Sequence, residues 1–198
     1  MTAHNHTSFA NPVFESQRAF RAIINALAHP GSIHNLEVNI SPPDCFPVAA
    51  AAAILTLCDF ETALWVCPGI ANAKTITEYC TFHTGTMRAK TPGQAQFALA
   101  DVTSKPLRLA GFAQGNAEYP DRSTTIICIA PSLIGGQTRL LSGPGIQSVS
   151  KLFVEGLPDD FGAQWAANHA CFPLGVDIVF CSGASLVALP RSTGIVEV

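Results

Sequence analysis

Residues 46–58, FPVAAAAAILTLC, constrain the fold of this chain more than any other stretch. The run is apolar on nearly every side, and a helix that is hydrophobic all round is stable only when buried. Its alanines make it thin, so its neighbours can pack tightly against it. It is too short to cross a bilayer, and acids bound it at Asp44 and Asp59. The rest of the chain must therefore cover this segment. At 198 residues it is long enough to do so without disulfide or metal staples.

Residues 1–11 read as a flexible tail, with His4 and His6 as tail residues in preference to a stray metal site. A helix starts near Pro12, a residue favoured in a first turn. Phe20, Ile23, Ile24 and Leu27 follow at helical spacing as one apolar stripe, and His29-Pro30-Gly31 stops the helix. Leu36, Val38 and Ile40 alternate as a half-buried strand does. Strands are predicted over 62–67, 95–101 and 124–130, and a short helix over 74–83. Ile76, Tyr79, Cys80 and His83 share one face of that helix, which reads as core in preference to a Cys80–His83 metal pair.

Ser104-Lys105-Pro106 opens a short helix or turn that ends near Gly111, and 115–121 is loop. Gly135-Gly136 turns the chain into 137–142, the expected hairpin partner of 124–130. A helix follows over 158–170, with Asp159 and Asp160 in a first turn that favours negative charge. Phe161, Trp165 and His169 repeat along it as a core face. Residues 176–181 and 185–190 flank a short Ser-Gly-Ala turn and form a hairpin, and IVEV at 195–198 adds a last strand. Helices alternate with strands early and hairpins dominate late. The expected class is α/β, a mixed β-sheet with helices packed on it, in a single domain over 12–198.

Charged residues make up 13% of the chain, about half the usual share of roughly 25%. Either the domain is well buried, or another protein covers part of its exterior. The net charge is −3 and the basic residues are scattered, so no nucleic-acid stripe or polybasic membrane patch is present. The N-terminal MTAHNHTSFANP lacks the order of a signal peptide, and the expected location is the cytoplasm. The seven cysteines include no CxxC, which speaks against a disulfide framework or a zinc ribbon.

A Walker loop, a nucleophile elbow and HExxH are all absent. Gly143-Pro144-Gly145 follows an apolar run and matches only part of a dinucleotide fingerprint, because Ser148 stands where the third glycine belongs. Two readings follow. The loop meets a phosphate through the amides of Gly145 and Ile146, with Arg139 or Arg191 as countercharge. Alternatively it is a structural turn, the favoured reading. Asp177 lies inside an apolar strand, where an unpaired carboxylate is costly. It is either a tuned base or ligand hook, or half of a structural ion pair, and Arg191 is its natural partner. A 181–186 pairing places Arg191 opposite Val176, so the pair needs a bulge or a diagonal reach. The candidate ligand-binding set is thus Arg139, Gly143, Gly145, Asp177 and Arg191, with structural roles favoured. The four lysines offer no clear Schiff-base position. No catalytic constellation and no metal set emerges.

Taken in order, QRAFRAIINALAHPG (17–31), TLCDFETALWV (56–66), FHTG (82–85), QAQFALAD (94–101), LSGPGI (141–146), FPLGVDIVF (172–180) and ALPRST (188–193) resemble the PhnH family. That family supplies a subunit of the bacterial carbon–phosphorus lyase machinery. The resemblance runs from about residue 12 to the C-terminus. It implies a fold like that of PLP-dependent transferases but without the cofactor. It implies PhnG, PhnI and PhnJ as partners, and a homodimer when isolated. It also implies a part in coupling an alkylphosphonate to the ribose of ATP with loss of adenine. Nucleosidase chemistry is assigned to PhnI and radical chemistry to PhnJ, so the resemblance carries over no catalytic residue and no cofactor. The alternative is a free-standing transferase-like or ligand-binding protein with an anion cleft near Arg139, Asp177 and Arg191.

Overall fold

The computed structural model describes residues 7–103 and 107–196. His4, His6, Ser104-Lys105-Pro106 and the end of the predicted last strand lie outside them. In chain order the elements are α1 (Pro12–Ala28), β1 (His34–Asn35), α2 (Val48–Leu57), β2 (Ala63–Val66), α3 (Ala73–Thr84), β3 (Met87–Arg88) and β4 (Phe97–Asp101). There follow β5 (Thr125–Ile129), β6 (Thr138–Ser142), β7 (Ser150–Phe153), α4 (Phe161–Ala170), β8 (Asp177–Ser182), β9 (Ser185–Leu189) and β10 (Gly194–Val196).

A seven-stranded sheet runs β1-β9-β8-β5-β4-β2-β3, and a three-stranded sheet runs β10-β6-β7. In the large sheet β3, β2, β4, β5 and β8 are mutually parallel, and β9 and β1 add antiparallel pairings at one side. The result is the expected mixed sheet between two layers. One face carries Leu64, Leu99, Ile127, Val179 and Leu186 and packs under α1, α2 and α3. The other carries Ala98, Ile126, Ile178, Phe180 and Leu189 and packs under α4 and the small sheet. Residues Ala49 to Ile54 of α2 are fully buried, as their composition demands.

Three of the predicted strand and helix assignments need correction. Residues 137–142 are not the hairpin partner of 124–130. β6 pairs with β7 and β10, while β5 lies between β4 and β8 with both neighbours parallel. The run Ile126–Ile129 is buried throughout, the signature of a strand covered on both faces. Residues 36–40 are not a strand, although Leu36 is buried and its amide donates to Ala184 O at 2.8 Å. The helix at 158–170 begins only at Phe161, so Asp160 is its N-cap and Asp159 precedes it.

α1 forms where expected, but only half of its predicted stripe, Ile23 and Leu27, packs inward. Ala19, Ile23 and Ala26 are buried, whereas Phe20 and Ile24 are 48% and 45% exposed. The cause is α2: a helix made of alanine admits close approach, and α1 meets it with small residues. Phe20 and Ile24 are left outside.

Glu15 is the charged exception on the inner face. Its Oε2 accepts the Asn11 N–H at 2.7 Å and its Oε1 accepts the Asn39 N–H at 2.6 Å. Residues 7–10, expected in the tail, join the same corner. Thr7 bridges Ser41, the Ala10 amide donates to Asn39 O, and Phe9 is buried. The two amides, Asn11 foremost, hold the Glu15 carboxyl below its ordinary pKa of 4.5. A depressed carboxyl contributes stability above its ordinary pKa and loses it as pH falls through the folded value. Glu15→Gln should therefore lower the melting temperature at pH 7. The gap to the native chain should shrink steadily below about pH 4.5. Thermal melts at pH 7 and below pH 4 check this.

Candidate functional site

The sequence-predicted residues cluster around the segment that leaves β9. Pro190 ends that strand, and the Thr193 amide turns back to Pro190 O at 2.8 Å. The register is the simple one, with Cys181 opposite Leu186. Arg191, past the end of the ladder, reaches Asp177 on the diagonal. Its backbone amide donates to Asp177 Oδ1 at 2.7 Å, and its Nε donates to both carboxylate oxygens at 3.1 Å. Nη2 donates to Asp177 Oδ2 and to Ser123 Oγ, and Nη1 donates to Pro120 O at 3.0 Å. Nη1 also lies 3.4 Å from Pro173 O. Every guanidinium nitrogen thus has a partner within the chain. The pair is largely buried, its side chains 14% and 20% exposed. This geometry ties the start of β8, the residues after β9 and the 120–123 turn into one clamp.

α4 holds the same segment from below. Trp165 Nε1 donates to Thr193 O at 2.8 Å, and His169 Nδ1 lies 2.8 Å from Arg191 O. Buried Asn168 pairs with Val176 both ways, accepting its amide at 2.8 Å and donating to its carbonyl at 3.0 Å. Trp165 and His169 are legible from their helical spacing as an inward face. Asn168 and Ser123 carry no sequence signal, because their roles depend on the neighbours that the fold brings.

The Gly143-Pro144-Gly145 loop lies against this segment and against the end of α1. Gly143 has φ +138°, and a Cβ there would lie 2.9 Å from Ser192 O. Gly145 has φ +81°, and a Cβ there would lie 2.0 Å from Ala28 O. The Ile146 amide, one of the two expected at a phosphate, donates to Gly143 O at 3.2 Å and closes the turn. The loop has the geometry of a close-packed corner.

Arg139 stands apart from the clamp. It is buried on β6, with Nη1 3.3 Å from Gln137 O and its guanidinium 5.5 Å from the Phe161 ring centroid. Burial holds its pKa below the usual arginine value. The structure brings together Asp177, Arg191 and Gly143 but gives Arg139 none of their partners.

Cys80 and His83 share the α3 face as expected. Cys80 is buried, and His83 stacks edge-on to Tyr79 with centroids 4.6 Å apart. Burial pushes the Cys80 and Cys58 thiols up to about 12. Among the described residues no group of three His, Cys, Asp or Glu converges as a metal set. No described helix is long and apolar enough to cross a membrane.

A family model described as bacterial phosphonate metabolism protein (PhnH) matches residues 7–196. The chain is similar to the alpha-D-ribose 1-methylphosphonate 5-triphosphate synthase subunit PhnH of Rhizobium meliloti (strain 1021). The two are 38% identical over 94% of this chain and 92% of that protein. It is also similar to HtxG of Stutzerimonas stutzeri, provisionally described as a C-P lyase subunit protein, at 30% identity over 90% of this chain and 85% of that one.

Proposed function

The chain belongs to the PhnH family of bacterial phosphonate metabolism proteins, and on that premise we propose that it works as a subunit of a carbon–phosphorus lyase complex. In that complex it takes part in making the ribose 1-alkylphosphonate 5-triphosphate from an alkylphosphonate and ATP. Its companions are PhnG, PhnI and PhnJ, it is cytoplasmic, and when isolated it pairs with a second copy. Its own contribution is a surface on which companion subunits assemble. A free-standing transferase is not favoured, since its curated relatives are described as subunits and Arg191 and Asp177 are already engaged with each other.

The observation that carries this reading is the outer face of α1. Val13, Phe20 and Ile24 fall on one line of the helix, Phe14 flanks them, and Val13 and Phe14 are 74% and 60% exposed. Phe20 and Ile24 are neighbours on that line and Gln17 separates them from Val13; exposed large apolar side chains grouped on one helix face in this way mark an interaction surface. A second group, Phe60, Phe82 and Met87, is exposed around the edge strand β3. Together these faces account for a chain that is poor in charge. Purification of the tagged chain from its own host, grown on a phosphonate as sole phosphorus source, tests the reading. Companion subunits in fixed ratio are expected, and a chain that emerges alone contradicts it.

A further inference from the structure

The order of the large sheet contains one reversal. From β2 the chain goes outward to β3, then returns past β2 to β4 and proceeds through β5 to β8. Between β2 and β4 the connections therefore diverge to opposite sides. In open parallel sheets that divergence leaves a crevice at the carboxyl ends of the strands, where ligands bind. A cavity of about 320 Å³ lies at that place, bordered by Trp65 and Pro68 at the end of β2 and by Ala100 and Asp101 at the end of β4.

The walls are suited to a flat ring. Trp65 and Phe112 meet edge to face with centroids 5.8 Å apart, so one aromatic face is fixed beside the opening. Ala100 leaves the floor low. The volume sits at the lower end of ligand pockets, roughly 300–1,000 Å³, enough for one heterocycle with a short polar arm. The rim is charged. Asp101 Oδ1 is held by the Thr103 amide and hydroxyl, both at 2.7 Å. Arg108 pairs with Asp160 at 3.1 Å, but the two side chains are 70% and 47% exposed. So exposed a pair is weak, and an incoming anion can take Arg108 from it. Arg108 also borders a second hollow of about 330 Å³, so it stands between two openings.

We propose that this crevice binds a nucleotide-like ligand, a planar heteroaromatic ring beside Trp65 with an anionic group on Arg108. The inference stands on the sheet and its walls and does not depend on the subunit reading. The probes are AMP, adenosine and inorganic phosphate, titrated into the full-length chain and followed by tryptophan fluorescence and equilibrium dialysis. AMP should bind and quench Trp65, with adenosine at least tenfold weaker. Arg108→Ala should bring AMP down to the adenosine level. A Cβ on Gly111, at the rim, meets nothing within 4 Å, so Gly111→Leu should keep the fold and block both ligands. Trp65→Phe should lose the quench while dialysis still reports AMP. The proposal is overturned if AMP fails to bind at millimolar concentration, or if it binds equally well to Arg108→Ala and Gly111→Leu. Should Gly111→Leu lose its fold by circular dichroism, the exposed Arg108 variant decides alone.

Discussion

Gly145→Ala should destabilise the chain by about 4 kcal/mol or more, a large part of the ~5–15 kcal/mol that holds a typical domain together. Two effects add. An L residue at φ +81° costs about 1–2 kcal/mol in backbone strain. The new Cβ also arrives 2.0 Å from the Ala28 carbonyl oxygen, a backbone atom that cannot rotate aside. Either the end of α1 or the loop after β6 must move, and the small sheet loses its seat on the helix layer. Gly183→Ala is the control. That position also has positive φ, at +54°, but its Cβ would meet nothing within 4 Å, so only about 1–2 kcal/mol of strain is expected. Denaturant midpoints of the two variants separate steric closeness from backbone strain. A Gly145→Ala chain that keeps its stability but loses phosphate or nucleotide binding would contradict the corner and restore the anion-cradle reading.

Arg191→Ala should cost about 3 kcal/mol, the low end of the ~3–5 kcal/mol seen when one partner of a buried ion pair is removed. The low end applies because the pair keeps some contact with solvent. The loss has several parts: an uncompensated Asp177 carboxylate, a Pro120 carbonyl without its donor, and a loosened 120–123 turn. At roughly 2–4 °C per kcal/mol for a chain of this size, the melting temperature should fall by roughly 6–12 °C. Asp177→Asn should cost less, since an amide oxygen still accepts from the Arg191 backbone amide. Equal, negligible losses from both variants, coupled with lost ligand binding, would mean that the clamp serves a ligand and not the fold.

What could be read from residues alone follows the range of the interactions. The β8–β9 hairpin is legible because its register depends on two neighbouring runs and a short turn. Simple pairing arithmetic even shows that Arg191 needs a diagonal reach to Asp177. The buried α2 is legible because its composition allows no other fate. The partner of β5 is not, since strand order is decided by long-range packing, and a Gly-Gly turn before β6 suggests a hairpin that the fold does not make. The inward face of α1 is only half legible, in Ile23 and Leu27, for a related reason. Periodicity locates an apolar stripe, but the alanines of α2 select the small side of the helix for close approach. β7 lies in SVSKLF, too short and mixed a stretch to signal a strand. Within the site, the clamp is partly visible as an acid and an arginine in apolar surroundings. The crevice between β2 and β4 is invisible, because it exists only through the order of the sheet.

The native mass of the tagged chain, purified from its host growing on a phosphonate, bears most directly on its role as a subunit. It should be measured for the native sequence and for a Phe20→Asp/Ile24→Asp variant, whose substitutions fall on exposed positions and leave the core intact. The account predicts one large species containing companion subunits in fixed ratio, and loss of at least one companion from the variant while its circular dichroism is unchanged. A lone monomer or dimer of the native chain under those growth conditions would contradict it.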